Sequence, residues 1–419
     1  MVSKQNFYQQ LQAEVKRIDA AHTTKREEVI IDGFQFKPSV HALIKGKPFL
    51  VFNSNDYLGL RHHPQLVQAE HQATDQYGTG PGAVRFISGS LKVHRDLEKA
   101  LAKFHHRDDA IIFSSAFAAN LAVLFSLIKG QSRDSLVDDS VIVISDELNH
   151  RSIIDGIRLA NLAKEQKAIF KHMNADHLRQ VLQTNVGKFK RALIVTDGIF
   201  SMLGEYQDLK KLRTVIDKFD DQYELGVLLV VDDAHGVGAF GKTGRGTEEV
   251  SGAPADVLIG TMGKAFGSDG GYVVGEQTVI DYLRESAATY IYSNNVTPGT
   301  AAAALTAVKL LDTTEGKKIL QSLVDNITYL KKGLLKLGYQ FAVQSTHPIQ
   351  AMLIGDTTKT KALKQALHKQ GILVTNINYP VVPPGRDEIR VQLSAVHSRA
   401  DLDQFLKATQ TAGKKLGLI

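Results

Sequence analysis

Short apolar runs, each halted by small or acidic residues, constrain this chain more than any other feature. Ala110–Phe113 stops at Ser114-Ser115, and Val141–Ile144 stops at Ser145-Asp146. Ala192–Val195 stops at Thr196-Asp197, Val227–Val231 at Asp232-Asp233, and Val257–Ile259 at Gly260-Thr261. Between them lie stretches of helical spacing, such as His94–Phe104 and Ala116–Leu127. Continuous apolar runs of strand length, alternating with helices, predict a mainly parallel sheet with helices on both faces, hence an α/β fold. In such sheets ligands bind beyond the carboxyl ends of the strands. The polar stops are therefore where chemistry is expected.

At 419 residues the chain exceeds what one ordinary core organises. An amphipathic helix with a polar follow-on is predicted over 1–30, and Phe49–Phe52 reads as a short strand. After Pro298 come helices over 300–311 and 314–336, then strand-like pieces near 339–343, 350–354, 372–374 and 389–393, and a last helix from about 399. The expected division is an N-terminal helix and lead-in segment (1–60), a large α/β domain (61–298) and a small C-terminal α+β domain (299–419).

Composition removes several classes of function. The chain has no cysteine, which excludes disulfides, thiolate metal sites and a cysteine nucleophile. No apolar stretch is long enough to span a bilayer, and Met1–Lys16 has no signal-peptide core, so a soluble cytoplasmic protein is expected. The net charge is +6, but the basic residues are scattered, often beside acids as at Arg95-Asp96. Without a basic run interleaved with aromatics, nucleic acid is not an expected partner. The pairs His62-His63 and His105-His106 lack acidic companions at ligand spacing. They read as surface residues, and no metal is expected.

Two glycine-rich stretches mimic nucleotide sites. Gly236–Thr243 fits the pattern G-x-x-x-x-G-K-T, but Gly244-Arg245-Gly246 follows, and no helix can start there to meet a phosphate. Gly78–Ala83 follows a helical stretch and is interrupted by Pro81, so it reads as a loop. A stronger signal is spread over the strand ends. Asp232-Asp233-Ala234-His235 closes one strand, and Gly260-Thr261-Met262-Gly263-Lys264 closes the next. A lysine framed by glycines just past a buried strand is desolvated, which lowers its pKa and makes it a usable amine nucleophile. A carboxylate at the neighbouring strand end is the partner a pyridinium nitrogen requires.

The ordered set Asn55–Leu60, Gly82–Gly89, Asp146–Ser152, Thr196–Met202, Asp232–Gly236, Gly244–Gly246, Gly260–Lys264, Tyr292–Asn294 and Arg390 resembles the α-oxoamine synthase family of fold-type I pyridoxal-phosphate enzymes. The resemblance implies that Lys264 binds pyridoxal 5'-phosphate covalently and moves the substrate α-proton. It further implies that Asp232 holds the ring nitrogen protonated, that His150 stacks on the ring, and that His235 and Ser201 lie on its phenolic side. Thr261, with the backbone of Ala116 and Phe117, would hold the phosphate. Ser293 and Asn294 would reach the phosphate of a neighbouring subunit, implying a homodimer. Arg390 would bind the substrate carboxylate, and Asn55 would lie at the substrate entrance.

The implied reaction condenses an amino acid with an acyl-CoA. Within the family the pattern is most similar to glycine C-acetyltransferase, also called 2-amino-3-ketobutyrate CoA ligase, which implies glycine and acetyl-CoA. The alternative is an 8-amino-7-oxononanoate synthase using alanine and a pimeloyl thioester, or a serine palmitoyltransferase-like enzyme. An aminotransferase on the same fold would need an oxo acid and no thioester. A catalytically silent binding protein would have no need of Lys264, Asp232, His150 and Arg390 together.

Overall fold

A computed structural model describes residues 4–21, 24–26, 28–36, 39–132, 134–379 and 382–419. The chain divides into two compact units, 1–51 and 52–419. In the first, the helix Lys4–Ala20 buries none of its residues. The polar follow-on expected after this helix, up to residue 30, is not helical where described, and residues 1–3, 22, 23 and 27 lie outside the described set. Three short strands, Gly33–Gln35, His41–Ile44 and Lys47–Val51, follow as an antiparallel meander.

The second unit is built on a seven-stranded sheet. In chain order its strands are β1 (Asp109–Phe113), β2 (Val141–Asp146), β3 (Lys167–Phe170), β4 (Arg191–Asp197), β5 (Val227–Asp232), β6 (Val257–Thr261) and β7 (Gly271–Gly275). Their spatial order is β1-β7-β6-β5-β4-β2-β3. Pairings from β3 through β6 are parallel, while β7 runs antiparallel to both β6 and β1. The expected mainly parallel sheet is present, with one reversal: the strand that opens at Gly271 runs antiparallel to its neighbours. The inner strands β4 and β6 are buried end to end, as a sheet covered on both faces requires. Val143, Leu193, Val230 and Ile259 pack with Ala119, Val123 and Ile153 of the flanking helices in one apolar core.

Register sets the polar ends side by side. Asp197 on β4 lies opposite Asp232 on β5, and Asp232 lies opposite Ile259 on β6. One buried carboxylate fixes the turn that follows. Asp233 is fully buried and accepts hydrogen bonds from Thr247 N and Oγ1, both at 2.6 Å. A Cβ at Gly198, Gly236 or Gly246 would come within 2.3, 2.2 or 2.0 Å of its carboxyl oxygens, so glycine at all three permits the enclosure.

Downstream, helices Pro298–Leu311 and Thr314–Lys336 precede a four-stranded antiparallel sheet. Its strands are β8 (Gln340–Phe341), β9 (Ile349–Leu353), β10 (Thr375–Ile377) and β11 (Glu388–Gln392), in the order β8-β9-β11-β10. The helix Arg399–Leu416 closes the chain, capped by Ser398, whose side chain accepts from Asp401 N. The expected strand near 372–374 is split between Ile372–Leu373 and β10. One histidine expectation fails: His105 is 3% exposed and shares a 2.8 Å hydrogen bond with Tyr272 Oη inside the core. Burial lowers its pKa to about 3, so it packs as a neutral ring.

Candidate active site

A cleft of about 370 Å³ opens at the carboxyl ends of the strands. Predicted site residues Ala116, Phe117, His150, Ser201, Asp232, His235 and Lys264 all line it. They come from distant points in the chain, and the sheet's register brings them together.

Asp232 ends β5 at the cleft floor. Its Oδ1 accepts from Ala234 N at 3.0 Å, and its Oδ2 accepts from Asn120 Nδ2 at 2.5 Å. Asn120 is fully buried on the helix Ala116–Lys129, one turn beyond its start. Sequence reading missed it, because a lone asparagine in an alanine- and leucine-rich helix carries no motif. Beside Asp232 stands Asp197, whose pKa is pushed well above the usual carboxylate range by burial and then by the neighbouring Asp232 charge. Lys264 lies across from both. Burial holds its amine below the ordinary lysine pKa against the opposing pull of Asp232 and Asp197.

The start of helix Ala116–Lys129 faces the same space. Ser115 caps it by accepting from Ala118 N at 3.1 Å. The first backbone N–H groups of a helix have no partner within it and favour an anion. Close packing holds that end down on the sheet: a Cβ at Gly271 would fall 2.3 Å from Ala116 N. Thr261, ending β6, donates from Oγ1 to Gly270 O at 2.9 Å and accepts from Gly263 N at 3.1 Å.

His150 caps the helix Arg151–Leu159 at the open side of the cleft. Its Nδ1 meets Ser152 Oγ at 2.7 Å and accepts from Ser152 N at 3.3 Å, while the backbone N–H of His150 donates to Asp197 Oδ2 at 2.9 Å. Nδ1 is thereby the acceptor, and Nε2 carries the proton of the neutral ring. Partial burial lowers its pKa; Asp232 opposes that shift and Lys264 adds to it.

On the far side, His235 Nδ1 and Tyr57 Oη share a 2.8 Å hydrogen bond. Burial, then Lys264, pushes His235 well below the ordinary histidine pKa, so its ring is neutral. Tyr57 Oη also reaches Asn55 Oδ1 at 3.3 Å, which accepts from Gln392 Nε2 at 2.5 Å. Asn55 thus joins the site through Tyr57. Behind them, His347 Nε2 meets the carbonyl of His235 at 2.9 Å and its ring stands edge-on to Tyr57 at 5.2 Å. Nothing in the loop sequence around His347 marks it. Arg390, on β11, donates from Nη1 to Ser201 O at 2.8 Å, leaving Nε unpartnered. Of the predicted site residues, Asn55, Thr261, Arg390, Ser293 and Asn294 are not among those lining the cleft; Ser293 is half-buried and Asn294 exposed.

The donor set suits an aromatic aldehyde phosphate. It offers an amine, a carboxylate braced from both oxygens, a neutral imidazole on each side and a helix start for an anion. Among the described residues no cluster of histidines and acids could hold a metal ion, and no helix is long and apolar enough to cross a membrane.

Comparison with known proteins identifies the family. The family model "Aminotransferase class I and II" matches residues 47–408. An 8-amino-7-oxononanoate synthase of Petrotoga mobilis is 37% identical over 99% of this chain and 100% of its own length. One of Fervidobacterium nodosum is 40% identical over 90% of this chain and 91% of its own. A serine palmitoyltransferase from S. paucimobilis with bound PLP superposes with a TM-score of 0.85 at 27% identity, covering 100% of both chains. The chain belongs to the aminotransferase class I and II family and, within it, to the α-oxoamine synthases, acyltransferases that depend on pyridoxal phosphate.

Proposed function

We propose that the chain condenses L-alanine with a pimeloyl thioester, releasing the thiol and carbon dioxide, as an 8-amino-7-oxononanoate synthase does. The observation that carries this reading is the identity of 37–40% to synthases of that name over at least 90% of the chain. Glycine with acetyl-CoA, expected from the motifs, finds no support among these relatives. The cofactor motifs it rested on are those of the whole family and do not report the substrate. Serine with a long acyl chain is the second reading, favoured by full-length superposition on a serine palmitoyltransferase at the lower identity of 27%.

Pyridoxal phosphate, when bound, supplies an electron-withdrawing ring that spreads the negative charge left at the α-carbon. Asp232, braced by Asn120 and the Ala234 amide, holds a proton at the ring nitrogen. Lys264 would carry the group and move the α-proton at its Nζ, and burial, by lowering its pKa, favours the neutral amine that such a transfer needs. His150 covers the open face, and His235 orients from the other side through Tyr57. The amides of Ala116 and Phe117, with Thr261, take the phosphate. Arg390 is held by the Ser201 carbonyl so that its guanidinium can take the amino-acid carboxylate in its fork. Ser293 and Asn294, outside the cleft of their own chain, serve the site of a second copy, which makes the working unit a homodimer.

The test is thiol release by holoenzyme given alanine, glycine or serine with pimeloyl-, acetyl- or palmitoyl-CoA. The proposal expects the highest kcat/KM for alanine with the pimeloyl thioester. Preference for glycine with acetyl-CoA, or serine with palmitoyl-CoA, would overturn it.

A further inference from the structure

The face of β11 that carries Arg390 is a polar stripe inside the molecule. Side chains alternate along a strand, so Glu388, Arg390 and Gln392 share that face. Glu388 and Gln392 are buried and Arg390 is half-buried. All three leave polar atoms without partners among the described residues: both carboxyl oxygens of Glu388, Nε of Arg390 and Oε1 of Gln392. Gln392 and Arg390 are anchored elsewhere, to Asn55 and to the Ser201 carbonyl. Among the described residues the Glu388 carboxyl has no such anchor.

The groups around Glu388 are few. Arg390 and Arg386 face it from its own strand and the turn before, and Glu205 faces it from the hairpin Ile199–Tyr206. Glu205 is itself 3.4 Å from His172. The strand neighbours across are Leu353 and Ile377, which carry no charge. Asp387, next in sequence, is tied to Thr357 and Asn378. A buried carboxyl with no hydrogen-bond donor is costly to ionise. Burial raises Glu388 to about 8, against Arg390 and Arg386 and with help from Glu205.

We propose that Glu388 is a positioning residue that competes with the substrate carboxylate for Arg390. As a neutral acid it leaves the guanidinium to the amino acid; as a carboxylate it draws the unpartnered Nε side back along the strand. The inference rests on the carboxylate-binding role proposed for Arg390. The sign follows from the raised pKa: Glu388 is neutral below about pH 8 and charged above it. Amino-acid affinity is therefore full below that pH and weakens above it. By reciprocity, binding in the alkaline range draws a proton from solvent onto Glu388.

The experiment titrates holoenzyme with alanine, following the cofactor's visible absorbance from pH 6.5 to 9.5, with ethylamine as a probe lacking the carboxylate. Wild type and Glu388→Gln should bind alanine alike near pH 7. The variant should bind ~tenfold more tightly by pH 9, with no such divergence for ethylamine. Calorimetry of the wild type in buffers of different ionisation heat should show extra proton uptake with alanine over ethylamine near pH 8.5, a readout that needs no variant. A wild-type to variant ratio that ignores pH, or equal proton uptake with both probes, would overturn the inference. Arg390→Gln separates the two layers. If that variant keeps wild-type affinity for alanine, the role of Arg390 itself fails. If it loses affinity while Glu388→Gln keeps the wild-type pH slope, only the role of Glu388 fails.

Discussion

At the scale of single residues, the site depends on groups that carry no chemistry themselves. Asp232 can serve a ring nitrogen only if its carboxylate stays charged and aimed, and the short bond from Asn120 holds the oxygen on the side away from Ala234. Removing that donor leaves a buried charge short of a partner, a loss of about 1.5–3 kcal/mol for a hydrogen bond to a charged group. Asn120→Ala should therefore weaken cofactor affinity by at least ~tenfold, measured by absorbance titration with pyridoxal phosphate. Unchanged affinity would show that Asp232 needs no bracing. Lys264 and Asp232 were legible in the sequence because each closes a buried strand among glycines and acids, whereas His150 and His235 were assigned only through the family resemblance. Asn120 and His347 were legible by neither route. Their roles arise from which helix and loop the fold lays against the strand ends, and no local pattern encodes that.

Elements show the same division. Strands with uninterrupted apolar runs, such as β4 and β5, announce themselves, since burial on both faces demands them. The antiparallel β7 was hidden by its glycines at both ends, and the edge strand β3 by its exposed Lys167 and Ile169. The hairpin Ile199–Tyr206, which carries Ser201, is held by a charged clamp that sequence could not show. His172 lies 2.9 Å from Asp146 and 3.4 Å from Glu205. Burial opposes its charge, but the bonds to both acids prevail and raise its pKa to about 9. A raised histidine pKa stabilises the fold fully below the unfolded value of about 6.5 and loses that contribution as pH climbs through about 9. Thermal melts should thus fall by a few degrees between pH 6.5 and 9.5 in the wild type. His172→Gln should melt lower at pH 6.5 with a flatter slope, and parallel slopes would refute the clamp.

For the molecule as a whole, the open question is where Ser293 and Asn294 act. Neither is among the residues lining the cleft of its own chain, and it is the resemblance of Tyr292-Ser293-Asn294 to the family's motif that assigns them to a neighbouring site. If a partner's site uses them, two inactive variants can rescue one another. Lys264→Ala mixed with an inactive Asn294 variant would place one complete site in each heterodimer. A random equal mixture should then regain about one quarter of wild-type activity. No recovery, with subunit exchange confirmed by mass, would confine each site to one chain.

The central claim is that Lys264 is the amine that carries the cofactor in this cleft. Borohydride reduction of the holoenzyme, followed by peptide mass mapping, tests it most directly. A single pyridoxyl-phosphate mass addition is expected on the peptide containing Lys264, absent from Lys264→Ala. Addition at another lysine, or none in a protein that still turns over amino acid and thioester, would contradict it.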